Sequence, residues 1–290
     1  MTDPCERSSL CKNTKHAQKI CSLQDSEGKW GYFHTHFSDS PSPYTTESAL
    51  RRLELLGFTI EDDCIQRAIT YMSDCLSGVK TVPDMQEQHV DWSVFTSLML
   101  AARIRRFTQD NPAANAVAKA WASIVTRAFA AQTYDDRAYL QAYRDTWGTD
   151  PKGGRLRDLS QFYTVSVING YLDEKTERCL LRYLIDKPDG IYYAYEKHIG
   201  TLPYAFTGRD ASRYLGCIAL LAEYPTAKHE LQFVVRWLEC NRNANGGWDM
   251  GRDAKDGVYL PLSDSWRTPA AREADCTYRI SNLLAKLFLP

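Results

Sequence analysis

The sequence contains no apolar run approaching the roughly 18 to 20 residues that a membrane span requires, and its N-terminal segment is polar throughout. These absences argue against a membrane-spanning helix and an apolar secretory leader, and they predict a cytoplasmic protein. No Pro-, Gly- or Ser-rich linker divides the 290 residues, so a single domain over 1–290 is expected. A surplus of one charge is missing too. The formal net charge is −1 with the signs interleaved, which leaves no basic face for phosphates and argues against nucleic acid as a partner. The nine cysteines include no CxxC pair, so neither a zinc knuckle nor a disulfide framework is indicated. Cys75 and Cys179 instead fall at apolar helix positions, where a reduced cysteine acts as a small hydrophobe.

What is present is helical periodicity. Aliphatic and aromatic residues make up 44% of the chain and charged residues 24%, enough apolar surface for a packed core rather than a disordered chain. Residues 62–77 place Ile65, Ala68, Ile69, Met72 and Leu76 on one helical face with Gln66, Arg67, Thr70 and Asp74 opposite. Segments 112–130, opened by Pro112, 174–186 and 227–240 have the same half-wet pattern. Between them, 91–104 and 210–222 are apolar on nearly every side and must be surrounded. Half-wet helices alternating with buried ones predict an all-α fold, an α/α toroid (α/α barrel) of five to six helical hairpins. Its inner ring holds the buried helices and its outer ring the amphipathic ones. The segment 135–146 fits neither ring cleanly, and 8–23 is expected to pair with 274–288 and close the circle.

The expected inner helices share an opening pattern: Asp91-Trp92-Ser93, Asp158-Leu159-Ser160, Asp210-Ala211-Ser212 and Asp275-Cys276-Thr277, with Thr46-Glu47-Ser48 as a variant. The loops ahead of these starts differ in length and are expected to meet around one mouth. They carry His34, His36, His89 and His198, and an aromatic set that includes Trp30, Tyr44, Trp92, Trp248 and Trp266. A cavity with an aromatic wall and a polar rim suits a small-molecule ligand with an apolar or sugar-like face.

The turn Gln24-Asp25-Ser26-Glu27-Gly28-Lys29-Trp30 resembles the QxxxGxW element of the triterpene cyclase repeat, the QW motif, with Ile20 at its aliphatic position. Trp237-Leu238 followed by Gly246-Gly247-Trp248 is similar but carries Arg242 where the family has glutamine. Tyr183-Leu184 with Gly190-Ile191-Tyr192 is a third copy shortened by two residues. In physical terms the glycine permits a left-handed turn, and the tryptophan packs over neighbouring helix ends. The chain thus resembles the terpenoid cyclase and protein prenyltransferase toroid superfamily. That resemblance implies an apolar or prenylated small molecule in a central cavity. Its catalytic motifs are missing, however. No DxDD exists, since Ile60-Glu61-Asp62-Asp63 has the wrong first residue, and Asp135-Asp136 does not continue into DDxxD.

Asp91, Asp158 and Asp210 read most simply as helix N-caps, whose hydrogen bonds favour the ionised carboxylate and make a poor proton donor. Asp275, with Asp264, Glu273 and Asp210, is the candidate acid–base set, because Ser263–Arg267 and Arg272–Asp275 concentrate charge in one expected final loop. Arg267 and Arg272 there suit an anionic group, unless they only tie the loop down. His34-Thr35-His36 has the spacing of a two-ligand metal clip, with His89, Asp91 or His198 as a third ligand, but the zinc set of the prenyltransferases does not map onto this chain and no metal is assigned. Three readings stay open: a cyclase- or prenyltransferase-like protein, a carbohydrate-active (α/α) barrel hydrolase or lyase, and a non-catalytic binding scaffold.

Overall fold

The computed structural model describes residues 10–288; Cys5 and the first two residues of the expected 8–23 segment lie outside them. Among the described residues all regular structure is helical, with β-pairing limited to the isolated bridges Gln161–Tyr192 and Ile191–Tyr195. Helices α1 (Lys15–Ser22), α2 (Thr46–Leu55), α3 (Asp63–Leu76), α4 (Trp92–Arg105), α5 (Pro112–Ala128) and α6 (Asp136–Trp147) form the first half. After them come the short α7 (Gly154–Arg157) and α8 (Phe162–Val167), then α9 (Glu174–Asp186), α10 (Arg209–Leu221), α11 (Ala227–Glu230), α12 (Gln232–Cys240) and α13 (Pro269–Leu287). No helix among the described residues is long and apolar enough to cross a membrane.

Local chemistry explains most boundaries. Thr45 and Ser48 close a reciprocal capping box on α2. Asp91, Asn111, Asp135 and Asp173 each accept a backbone N–H at the start of α4, α5, α6 and α9. α4 is buried along almost its whole length, including Arg103 and Arg105, whereas α3 and α9 bury one face. One continuous cluster of buried apolar residues runs from Cys11 to Leu287.

Several expected boundaries are corrected. The 227–240 helix breaks at the buried Leu231, whose φ of −103° and ψ of 17° leave the helical region. The segment 135–146 forms a helix at its expected place, α6, packed on α5. The shared opening pattern marks a helix cap only at Asp91. Thr46 is the first helical residue behind the true cap Thr45. Asp210 lies inside α10 behind Gly208, and Asp158 turns its carboxylate onto the Ser160 N–H at 2.8 Å, ahead of α8. Asp275 is mid-helix, because Thr268 and Pro269 start α13 earlier than expected; Arg272 and Glu273 are therefore helical residues and not part of a loop.

Two glycine–tryptophan turns are built alike. Trp30 donates its indole N–H to the Ile20 carbonyl at 2.7 Å, and its backbone N–H to Thr46 Oγ1 at 3.0 Å. Trp248 donates to the Leu238 carbonyl at 2.7 Å and to Thr277 Oγ1 at 2.9 Å. Each turn thereby pins the end of one helix to a threonine of another. At Gly28 a Cβ would stand 2.5 Å from the Arg67 carbonyl oxygen, and φ is +95°, so no other residue fits that turn.

Candidate functional site

The loop that leaves the Trp30 turn delivers His34 to the N-terminal end of α2. Asp84 holds this loop by accepting the backbone N–H groups of His34 and Thr35 at 2.9 and 2.8 Å. Directly beneath lies Glu47, second residue of α2 and 5% exposed. Its Oε2 stands 2.7 Å from His34 Nδ1 and accepts the Tyr163 hydroxyl at 2.8 Å. Its Oε1 accepts Arg103 Nε at 3.0 Å, and Arg103 is itself 2% exposed. A carboxylate and a guanidinium that deep are tolerable only as partners. Burial pushes the Glu47 carboxyl up, but the Arg103 guanidinium and then His34 outweigh it and hold the group down at about 2. Burial, reinforced by Glu47, raises the Tyr163 hydroxyl far above its ordinary value, so it remains a donor.

This arrangement orients the imidazole. An ionised carboxylate only accepts, so His34 Nδ1 carries the proton toward Glu47; in the neutral ring Nε2 then presents its lone pair elsewhere. It faces the Tyr193 hydroxyl, 3.5 Å away. Tyr193 has φ of +73°, an unfavourable conformation for an aromatic residue. The turn is held by mutual backbone bonds between Ile191 and Tyr195, both at 2.9 Å. Burial raises the Tyr193 hydroxyl to about 12, with the Glu47 charge adding to it.

His34, Glu47 and Tyr193 line a cavity of about 320 Å3 together with Tyr44, Arg51 and Arg52. Arg51, Tyr193 and Val258 also line a neighbouring cavity of about 500 Å3 that reaches Asp210, Lys197 and Arg213. Of the five loops expected at one mouth, those preceding α4 and α8 do not line these cavities, and those preceding α2, α10 and α13 do. The space they enclose falls in the size range of small-molecule sites.

Of the residues singled out in the sequence, His34, His36, Tyr44, Glu47, Ser48, Tyr192 and Asp210 line these cavities. Asp210 is paired there with Lys197 at 2.6 Å. The rest are elsewhere. Trp30 and Trp248 are buried clamps rather than ligand walls. Asp91 caps α4, Trp92 stacks on Phe95 and His89 is exposed on the same loop. Asp158 pairs with Lys187, and His198 contacts Thr201. In the last stretch, Asp264 and Arg267 are exposed, Arg272 is paired bidentately with Asp249, and Glu273 accepts from Asn243. Asp275 is fully buried, and its Oδ2 accepts four donors: the Leu262 and Ser263 N–H groups, the Ser263 hydroxyl and the Trp266 indole. It staples the 262–266 loop to α13.

Arg51, Arg52, Arg103, Tyr163 and Tyr193 escaped the sequence reading, and Glu47 entered it only as part of a helix start. Charges on helices that have to be buried were the available signal, because such charges require a partner. Around His34 and His36, no group of three His, Cys, Asp or Glu side chains able to hold a metal occurs among the described residues. No family model matches the chain, and neither a curated protein nor a solved structure matches it.

Proposed function

We propose that the chain is an acid–base enzyme acting on a sugar-sized polar molecule, a carbohydrate-active lyase rather than a hydrolase. The observation that carries this reading is the Glu47–His34 pair, which fixes the imidazole tautomer and aims Nε2 into a cavity beside the Tyr193 hydroxyl. His34 takes a proton from a carbon of the bound molecule, and Tyr193 gives one to the departing oxygen as the carbon–oxygen bond breaks and a double bond forms. Hydrolysis by paired carboxylates is less well served. The carboxylate nearest the His34 cavity, Glu47, is committed to Arg103, His34 and Tyr163. The test is turnover of a panel of neutral and acidic disaccharides, followed by the absorbance of the new double bond and repeated with His34→Ala. Loss of product in the variant with its melting temperature unchanged supports the reading; absence of product from every disaccharide with the folded wild type refutes it.

A second reading is favoured by the doubled tryptophan turn. Its recurrence supports kinship with the terpenoid cyclase and prenyltransferase toroids, a closed ring of hairpins holding an apolar or prenylated ligand. Contacts in succession from α2 to α4, α8, α10 and α13 suit an arc of inner helices, which the ring of that reading would close between α13 and α2. Retention of a polyprenyl compound, with no sugar turned over, decides for it. A chain that binds a ligand from either panel and converts none is a scaffold.

A further inference from the structure

Buried arginines in this protein differ in how they are satisfied, and the difference points to a ligand. Arg105, without a carboxylate, donates from Nε, Nη1 and Nη2 to the oxygens of Val167, Asn115 and Asn169. Arg103 has a carboxylate, Glu47, and its guanidinium is held more firmly charged than usual despite its burial. Arg52 is equally deep, 5% exposed, and has none. Its Nη1 donates to the Val258 carbonyl at 3.1 Å and its Nη2 to the Pro261 carbonyl, while Nε is buried with no partner. Beside it, Arg51 donates to the Tyr259 hydroxyl and lies 4.8 Å from that ring's centre. Arg279 stacks on the same ring at 4.6 Å and donates to the Ser212 hydroxyl and carbonyl at 2.8 and 2.6 Å. Among the described residues none of these three arginines forms an ion pair.

The carboxylates whose fields reach Arg52 are otherwise engaged. Asp256 accepts the N–H groups of Val258, Tyr259 and Leu260 at 2.9, 2.8 and 3.2 Å, and Asp275 holds the 262–266 loop. Burial lowers the affinity of Arg52 and Arg279 for their protons, and Arg51 adds to that effect on Arg279. Tyr259 cannot swing away freely: it lies so close on Gly216 that a Cβ there would stand 2.1 Å from its ring. Two guanidinium groups, Arg51 and Arg279, are thus packed on one fixed ring, Arg52 holds the Val258 and Pro261 carbonyls beside it, and Arg51 and Arg52 open into the cavity that contains His34. Concentrated, partly desolvated positive charge with an orphaned donor is destabilising by itself and favourable once an anion enters.

We propose that Arg51 and Arg52, backed by Arg279, form an oxyanion subsite, and that the molecule presented to His34 carries a carboxylate or phosphate group docked there. This rests on the acid–base reading of His34 only for the identity of the substrate; the binding site stands on the arginines themselves. A carboxylate so placed has a further chemical consequence. An adjacent C–H becomes more acidic when guanidinium groups neutralise the carboxylate, which suits abstraction by His34.

Titration calorimetry of the full chain with glucuronate, glucose 6-phosphate and glucose tests the proposal, using wild type, Arg52→Gln, Arg51→Gln and His34→Ala. We expect one or both acids to bind and glucose not to, with affinity falling as salt is raised. Each arginine variant is expected to lose at least tenfold in affinity, while His34→Ala retains binding. The tighter acid identifies the group as carboxylate or phosphate. If Arg52→Gln fails to fold, Arg51→Gln carries the test. Equal binding of glucose and the acids, no binding by either acid, or unchanged affinity in the folded arginine variants overturns the proposal. Acid binding without turnover of any acidic disaccharide leaves the subsite standing and removes the catalytic reading; turnover of neutral disaccharides alone does the reverse.

Discussion

Replacing Glu47 by Gln isolates the interaction on which the site is built. The carboxyl is held at about 2 against an ordinary value of 4.5. At 1.36 kcal/mol per unit, Arg103 and His34 together contribute up to about 3 kcal/mol of stability through the Glu47 carboxylate. The sign follows from the direction. A depressed carboxylate contributes its full stability above the unfolded value near 4.5 and loses it as the pH falls toward about 2. Glu47→Gln also strands the Arg103 guanidinium, which is 2% exposed, and leaving a buried charge unpaired costs roughly 3–5 kcal/mol. For a chain of this length each kcal/mol moves the melting temperature by about 2 °C, so a drop of roughly 6–10 °C is expected at pH 7. The gap to wild type should narrow as the pH is lowered from 4.5 toward 2. Adding Arg103→Met should recover part of the loss, since the second substitution removes the stranded charge. Scanning calorimetry of the two variants and wild type across that range is the assay. A loss below about 1 kcal/mol, or a double variant worse than the sum of its parts, refutes the account of the pair.

Trp30→Phe and Trp248→Phe remove the same indole bond at the same 2.7 Å, so each should cost about 1–2 kcal/mol and the two losses should agree within error in urea titrations. Tyr193→Phe should lower kcat on the sugar converted by wild type by roughly 10²- to 10⁴-fold with little change in melting temperature, which steady-state kinetics on the purified variant checks. Alkylation of the native protein, read by peptide mass, should modify the exposed Cys240 well before Cys217, whose thiol is fully buried and pushed up by that burial. A mild dithiol oxidant should join Cys21 to Cys64, whose sulfurs stand 3.4 Å apart, giving a cross-linked peptide between α1 and α3.

Helix placement was legible because periodicity and capping act locally. The wet face of residues 62–77 and the apolar surface of 91–104 define α3 and α4 to within a residue or two. The Asp-x-Ser/Thr pattern misled for the same reason in reverse. It caps a helix at Asp91, but at Asp275 a better start, Thr268-Pro269, lies upstream, and the carboxylate is free to hold a distant loop. Aromatic residues near a mouth also divide in ways sequence does not reveal. Trp30 and Trp248 close turns because their N–H groups find carbonyls inside, whereas Tyr44 and Tyr193 stay in the cavity wall. The Glu47–His34–Arg103 association joins residues far apart in the chain and exists only once α2 lies against α4. Glu47 was visible as part of a helix start, and its partner Arg103 as a charge in an apolar helix, but nothing local linked them.

The claim on which the rest depends is that Glu47 fixes His34 with Nε2 toward the cavity. Long-range nitrogen–proton NMR of the neutral imidazole reads that directly. The account predicts a proton on Nδ1 and an unprotonated Nε2, with the preference relaxed in Glu47→Gln and the Nε2 signal shifted by an acidic sugar. A proton resident on Nε2 in wild type, insensitive to Glu47→Gln, contradicts it.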